Sequence, residues 1–166
     1  MQSEYREPRL FIGGEWLAAG ARDTLPVVNP ATEETLGVVP VATPADLDRA
    51  IECAGVGFKV WRQTSALERA RVLRRAADLL RERLESNSTT LTLEQGKPLG
   101  EARTEWSAAA DFFDWYADEG RRAYGRVIPS RTPGTEVTVL KEPLGPVAAF
   151  SPWNLPASQA ADFTIF

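Results

Sequence analysis

Along the chain the spacing of apolar and polar residues changes period several times, and each change marks an element. Leu10-Phe11-Ile12 and Glu15-Trp16-Leu17 flank Gly13-Gly14. Glycine at both central positions tolerates the positive φ of a tight two-residue turn, so this pattern predicts a small hairpin. A second β region is expected over 26–28 and 36–41, joined at Asn29-Pro30 and Thr32, which favour non-helical backbone. Thr43-Pro44-Ala45-Asp46 reads as a helix start: Thr43 can cap, Pro44 has the φ of a first turn, and Asp46 sits where an anion is favoured. Leu47, Ile51, Ala54, Phe58 and Trp61 then recur at helical spacing. Ser65 with Glu68 forms a capping-box pattern ahead of Leu67, Ala70, Leu73, Ala77, Leu80 and Leu84, a second stripe expected to be buried.

A short helix is expected over 89–95, stopped by Gly96 in the left-handed region and by Pro98. A long helix should follow over about 99–120, with Ala102, Trp106, Ala109, Phe113 and Tyr116 on its core face. Phe112 and Trp115 widen that face, as a subunit contact, a channel wall or a large core would require. Residues 125–134, rich in Gly, Pro, Ser and Arg, read as a connector, and 135–141 alternates as a strand with one wet face. Val147, Ala148, Ala149 and Phe150, bounded by Gly145-Pro146 and Ser151-Pro152, predict a strand covered on both faces. Just past it stand Trp153 and Asn154. In open parallel α/β sheets ligands bind at the carboxyl ends of strands, so the Asn154 amide is a candidate for ligand contact. Spacing alone favours a packed loop whose asparagine satisfies its own turn.

Composition narrows the chemistry. The 166 residues are 43% hydrophobic and 25% charged, an ordinary soluble composition large enough for one domain with a core. A net charge of −4 and the lack of a Lys/Arg stripe argue against nucleic acid. Residues 1–8 hold no apolar run, so neither a secretory signal nor a membrane anchor is expected there, and the cytoplasm is the simplest location. A single cysteine allows no internal disulfide. No histidine is present, which removes Cys-His and Ser-His couples and Cys/His zinc sites, and no metal site is expected. Arg69, Arg71, Arg74, Arg75, Arg81 and Arg83, interspersed with Glu68, Asp78, Glu82 and Glu85, read as a solvated helix face. Cys53, on the first helix, reads as a structural thiol.

Several ordered motifs carry a resemblance over about residues 10–161: Ile12-Gly13-Gly14-Glu15-Trp16, Asn29-Pro30-Ala31-Thr32, Glu94-Gln95-Gly96-Lys97-Pro98-Leu99 with Glu101-Ala102, Lys141-Glu142-Pro143-Leu144-Gly145, and Pro152-Trp153-Asn154-Leu155-Pro156. Together they resemble the aldehyde dehydrogenase superfamily, with Leu155 where the family usually has Phe, and with wording over 92–99 similar to the succinate-semialdehyde branch. The resemblance implies an α/β fold: the N-terminal part of the aldehyde dehydrogenase fold, a helix-rich segment plus the start of a Rossmann-like cofactor-binding sheet, incomplete. It divides the chain into an N-terminal part of the cofactor domain (1–126), a connector with an oligomerisation-type strand (127–142), and a first cofactor-domain strand with the Pro-Trp-Asn turn (143–166). The implied reaction is oxidation of an aldehyde or semialdehyde to the acid with NAD or NADP, in a homo-oligomer.

By the same resemblance Asn154 is the catalytic oxyanion donor, and the backbone of Phe150, Ser151, Pro152 and Trp153 touches the cofactor. The family's nucleophilic Cys, general-base Glu, cofactor Lys and phosphate loop come later than this sequence runs, and Cys53 lies far upstream of the nucleophile's place. The ending Asp162-Phe163-Thr164-Ile165-Phe166 departs from the family's wording, as a frameshift, early stop or gene-calling error would produce. An amino-terminal piece, inactive alone and either poorly soluble or associated with a partner, is therefore expected. Two other readings stay open: a non-catalytic module pairing with a full-length relative through 135–141, and a nicotinamide-binding domain unconnected with aldehydes.

Overall fold

A computed structural model describes residues 5–163. Strands β1 (Leu10–Ile12) and β2 (Glu15–Leu17) pair antiparallel with Phe11 opposite Trp16. Gly13 and Gly14 take φ of 60° and 85°, the left-handed pair that this turn needs. Strands β3 (Thr24–Val28) and β4 (Thr35–Pro40) form the second hairpin. In its turn the Asn29 side chain accepts from the Ala31 amide at 2.9 Å.

Helix α1 (Pro44–Trp61) opens with a reciprocal capping box between Thr43 and Asp46. Asp46 is buried and also accepts from the Arg22 guanidinium at 2.9 and 2.7 Å. The Arg22 guanidinium first, and then the Thr43 amide and hydroxyl, hold this carboxyl well below the usual carboxylate range. The apolar stripe of α1, by contrast, is not a core. Leu47 is exposed and Ile51 is 70% exposed. Among the described residues α1 packs chiefly on the β1–β2 hairpin, where Gly13 lies against Cys53. Helical periodicity reports which residues share a face, whereas burial requires a partner element over that face.

Helix α2 (Ala66–Glu82) starts with Ser65 accepting from the Glu68 amide at 3.2 Å. The Glu68 carboxylate accepts from the Ser65 hydroxyl, so only half of the expected box forms. Helix α3 (Leu84–Gln95) begins five residues before the expected start, and Leu84 belongs to it rather than to the preceding stripe. The break is at Arg83, which leaves helical geometry at φ −104°, ψ 13° with neither Gly nor Pro to mark it. Gly96 ends α3 at φ 79°. Helix α4 (Leu99–Glu119) passes into a single 3-10 turn at Gly120–Arg122.

The core is the packing of α2 on α4, flanked by α3 and by the last helix, α5 (Pro156–Phe163). Its fully buried positions are mostly alanines: Ala70 and Ala77 on α2, and Ala102, Ala109, Ala110 and Ala117 on α4. Small side chains let two helix backbones approach closely, while the half-buried Trp106, Phe113 and Tyr116 fill the margins. The expected solvated arginine face is partly a bridge. Arg74 reaches Asp118 at 2.5 Å, and Arg81 reaches Asp111 and Asp114 at 2.9 and 2.7 Å. Such half-exposed pairs contribute about 0–1 kcal/mol each, so the alanine packing carries more of the association.

Two expectations fail after α4. The supposed connector contains a strand, β5 (Arg126–Pro129), which pairs with β6 (Glu136–Val139). Its Gly/Pro/Ser/Arg composition described the loop between them and obscured Val127-Ile128. Further on, 147–150 carries no strand ladder, with Val147 65% and Phe150 86% exposed. An apolar run becomes a strand only where a neighbour supplies hydrogen bonds, and none lies beside it among the described residues. Among those residues no helix is long and apolar enough to cross a membrane.

Two outcomes follow for stability. Ala109→Leu should overpack the helix crossing and cost about 1–3 kcal/mol, lowering the urea midpoint, and an unchanged midpoint would contradict a tight alanine seam. The depressed folded-state pKa of Asp46 means that its contribution is present above the ordinary carboxylate value of about 4 and is lost as pH falls below it. Urea melts of Asp46→Asn across that acid range should therefore show a shallower pH dependence than the parent chain.

Candidate functional site

The Trp153-Asn154 turn lies between the junction of α3 with α4 and the start of α5, and its environment follows from an uncapped helix. Pro156 supplies the first-turn φ of α5, but the residue before it is Leu155, which has no side-chain acceptor for the free amides of that turn. A carboxylate from α4 takes that role. Glu105 Oε1 accepts from the Ala157 amide at 2.8 Å and from the Ser158 amide at 3.3 Å. A negative charge here also complements the amino-terminal end of the α5 dipole.

Glu105 is paired in turn. Its Oε2 accepts from Lys97 Nζ, and the two side chains are 3% and 9% exposed. Among the described residues every other ion pair leaves at least one partner far more open to solvent. Lys97 Nζ also donates to the Asn154 carbonyl at 2.9 Å, and Gln95 Nε2 donates to the Trp153 carbonyl at 3.3 Å. Gln95 and Lys97 flank Gly96, whose left-handed conformation turns the chain so that both can reach the same turn. Farther along, the Tyr116 hydroxyl donates to Asp162 Oδ1 at 3.0 Å, a second tie of α5 to α4. Burial first, and this bond next, push the Tyr116 phenol up.

Asn154 is thus held by its backbone, and among the described residues its exposed side-chain amide has no hydrogen-bond partner. The idea of an asparagine that satisfies its own turn does not describe it. Trp153 is half-exposed and borders a cavity of about 490 Å³ with Leu91, Glu94, Trp106, Phe113 and Ala157. On the other side, Lys97, Thr104, Glu105, Phe112, Leu155 and Ser158 line a cavity of about 390 Å³. Phe112 therefore borders the site region, whereas Trp115 is exposed. Phe150, Ser151 and Pro152 are exposed, and the Ser151 hydroxyl makes only long contacts, at 3.4 Å to Gln159 Oε1 and to the Pro152 carbonyl. Cys53 lies on α1 against Gly13 and lines neither cavity.

The chain matches the Aldehyde dehydrogenase family over residues 16–164. It belongs to that family. Among relatives, it is 51% identical over 152 residues to 4-(hydroxymethyl)benzenesulfonate dehydrogenase of Comamonas testosteroni, covering 92% of this chain and 32% of that protein. It is 44% identical over 148 residues to glutarate-semialdehyde dehydrogenase of Pseudomonas putida, covering 89% and 31%. The crystal structure of succinate-semialdehyde dehydrogenase from Burkholderia pseudomallei superposes with a TM-score of 0.90 at 43% identity, over 97% of this chain and 33% of that one. The aldehyde dehydrogenase chain thus spans about a third of the length of these relatives, as expected of an N-terminal part of that fold. The match runs to residue 164 and so includes Asp162 and Phe163, where the similarity was expected to have ended. Residues 164–166 of that expectation lie outside the described residues.

Lys97 and Glu105 were not singled out from the sequence as site residues. A signal existed: Glu105 is a carboxylate three residues from Ala102 and four from Ala109, on an otherwise small and apolar helix face. Gly96→Ala tests how this junction is set. The new side chain would sit at φ 79° with its Cβ 2.8 Å from Pro30 Cγ, so a loss of about 1 kcal/mol or more is expected in thermal melts, with altered Trp153 fluorescence as Gln95 and Lys97 are displaced.

Proposed function

We propose that this chain supplies the oxyanion-donor half of a site that oxidises an aldehyde or semialdehyde to the acid with NAD or NADP, and that it does not turn over alone. The observation that carries this reading is the Asn154 amide, fixed through its backbone carbonyl by Lys97 and left without a side-chain partner among the described residues. When a nucleophile adds to an aldehyde carbonyl, negative charge develops on the oxygen. A neutral NH2 donor held in place stabilises that charge without reorganising and without exchanging protons. The sole thiol, Cys53, packs on the β1–β2 hairpin and does not serve as the nucleophile.

The dinucleotide, when bound, would accept hydride from the adduct. The described residues fit only one end of it. Phe150, Ser151, Pro152 and Trp153 offer an exposed surface beside Asn154, yet the adjacent helix start, which could have held a diphosphate, is filled by the Glu105 carboxylate. The names of the relatives favour a semialdehyde as substrate. A cytoplasmic location accords with a single cysteine, and a homo-oligomer accords with the exposed β5–β6 hairpin. That same hairpin favours a second reading, a non-catalytic module that adds its free strand edge to a full-length relative, for which co-purification is the test.

Purified chain mixed with succinate semialdehyde and NAD or NADP should form no reduced nicotinamide. Replacing the matching third of the Pseudomonas putida glutarate-semialdehyde dehydrogenase with this chain should give an active hybrid. In that hybrid Asn154→Ala should lower kcat by roughly 10²–10³-fold, and a hybrid indifferent to the change would refute the oxyanion role.

A further inference from the structure

We propose that Lys97 and Glu105 are positioning residues, a buried ionic clamp whose purpose is to fix the Trp153-Asn154 turn, and with it the Asn154 amide, against α4. The inference rests on the oxyanion reading of Asn154 and adds the machinery that holds it. Three observations carry it. The pair is more deeply buried than the other ion pairs among the described residues, and burying two charges is costly unless geometry and further hydrogen bonds compensate. All of its further hydrogen bonds converge on one short segment: Glu105 accepts from Ala157 and Ser158, while Lys97 donates to Asn154. Each of these bonds uses a backbone group, so the clamp fixes the segment and leaves the Asn154 side chain available.

A pair serving only general stability would have little reason to spend its remaining hydrogen bonds on the turn next to a candidate donor. Leu155 explains the requirement, because the turn lacks its own helix cap and would otherwise leave amides unsatisfied beside a charged carboxylate. Gln95 adds a third backbone tie, to Trp153. The side chains come from the α3–α4 junction and from the second turn of α4, so the height of the turn is set by the rigid helices rather than by the exposed segment 141–150.

The test uses the full 166-residue chain, with amide hydrogen exchange and ¹⁵N NMR of the Trp153 indole and the Asn154 side-chain amide, comparing Lys97→Met, Lys97→Arg and Glu105→Gln. Lys97→Met should speed exchange at Ala157 and Ser158 by about tenfold or more beyond any change at the α2 and α4 amides, and should broaden or split the Trp153 and Asn154 signals. Lys97→Arg, which retains charge and donors, should restore much of the parent behaviour. Glu105→Gln, which keeps an acceptor for the α5 amides but loses the charge, should disturb the Asn154 signal more than the Ala157 exchange. Unchanged exchange and spectra in Lys97→Met would overturn the proposal, and so would a uniform loosening of every helix. If both Lys97→Met and Glu105→Gln fail to fold, the pair is a general requirement of the fold and the positional claim also falls. Turnover enters none of these readouts, so failure of the oxyanion role and failure of the clamp register separately.

Discussion

A lysine and a glutamate buried together between helices hold the Trp153-Asn154 turn in place. Lys97 and Glu105 give up hydration, and the arrangement is tolerable because each finds its opposite charge and then backbone partners around Asn154 and at the start of α5. Removing either partner leaves an uncompensated buried charge, the costly case. Replacing both with apolar residues could keep the helices together and still release the turn. Stability and positioning are therefore separable quantities at this site, and the pair is better understood through the second.

The surrounding elements take their meaning from that clamp. The alanine packing of α2 against α4 lets the helices approach closely, which gives Glu105 a rigid base. Gly96 reverses the chain at the end of α3 and turns Gln95 and Lys97 toward the same loop. Tyr116 secures the far end of α5 through Asp162. By contrast, 141–150 and the β5–β6 hairpin expose much of their apolar surface, including Leu140, Leu144 and Phe150. The Trp153-Asn154 turn thus hangs from the helices, not from a sheet.

Local sequence chemistry was a good guide wherever structure is locally determined. Gly13-Gly14, the Asn29 turn, the Thr43–Asp46 box and the Gly96 stop all take the conformations that their residue types require. It was a poor guide wherever the outcome depends on a distant partner. The stripe of Leu47 and Ile51 has the right period and no cover, and Val147 to Phe150 has the right apolar run and no neighbouring strand. Asn154 stood out through its motif, whereas Glu105 acts across 52 residues to the Ala157 amide and no local pattern announces that contact. The family's motif marks Asn154, whereas the packing of α5 on α4 decides which residues hold its turn.

The central claim, a turn fixed by its backbone that presents a free amide, is tested most directly by ¹⁵N relaxation of the chain. The account predicts backbone order parameters for residues 153–158 near the rigid value of about 0.85, as in α4, together with a markedly lower value for the Asn154 side-chain amide. Backbone order below about 0.6 across the turn would contradict it, because no clamp would then be holding the donor.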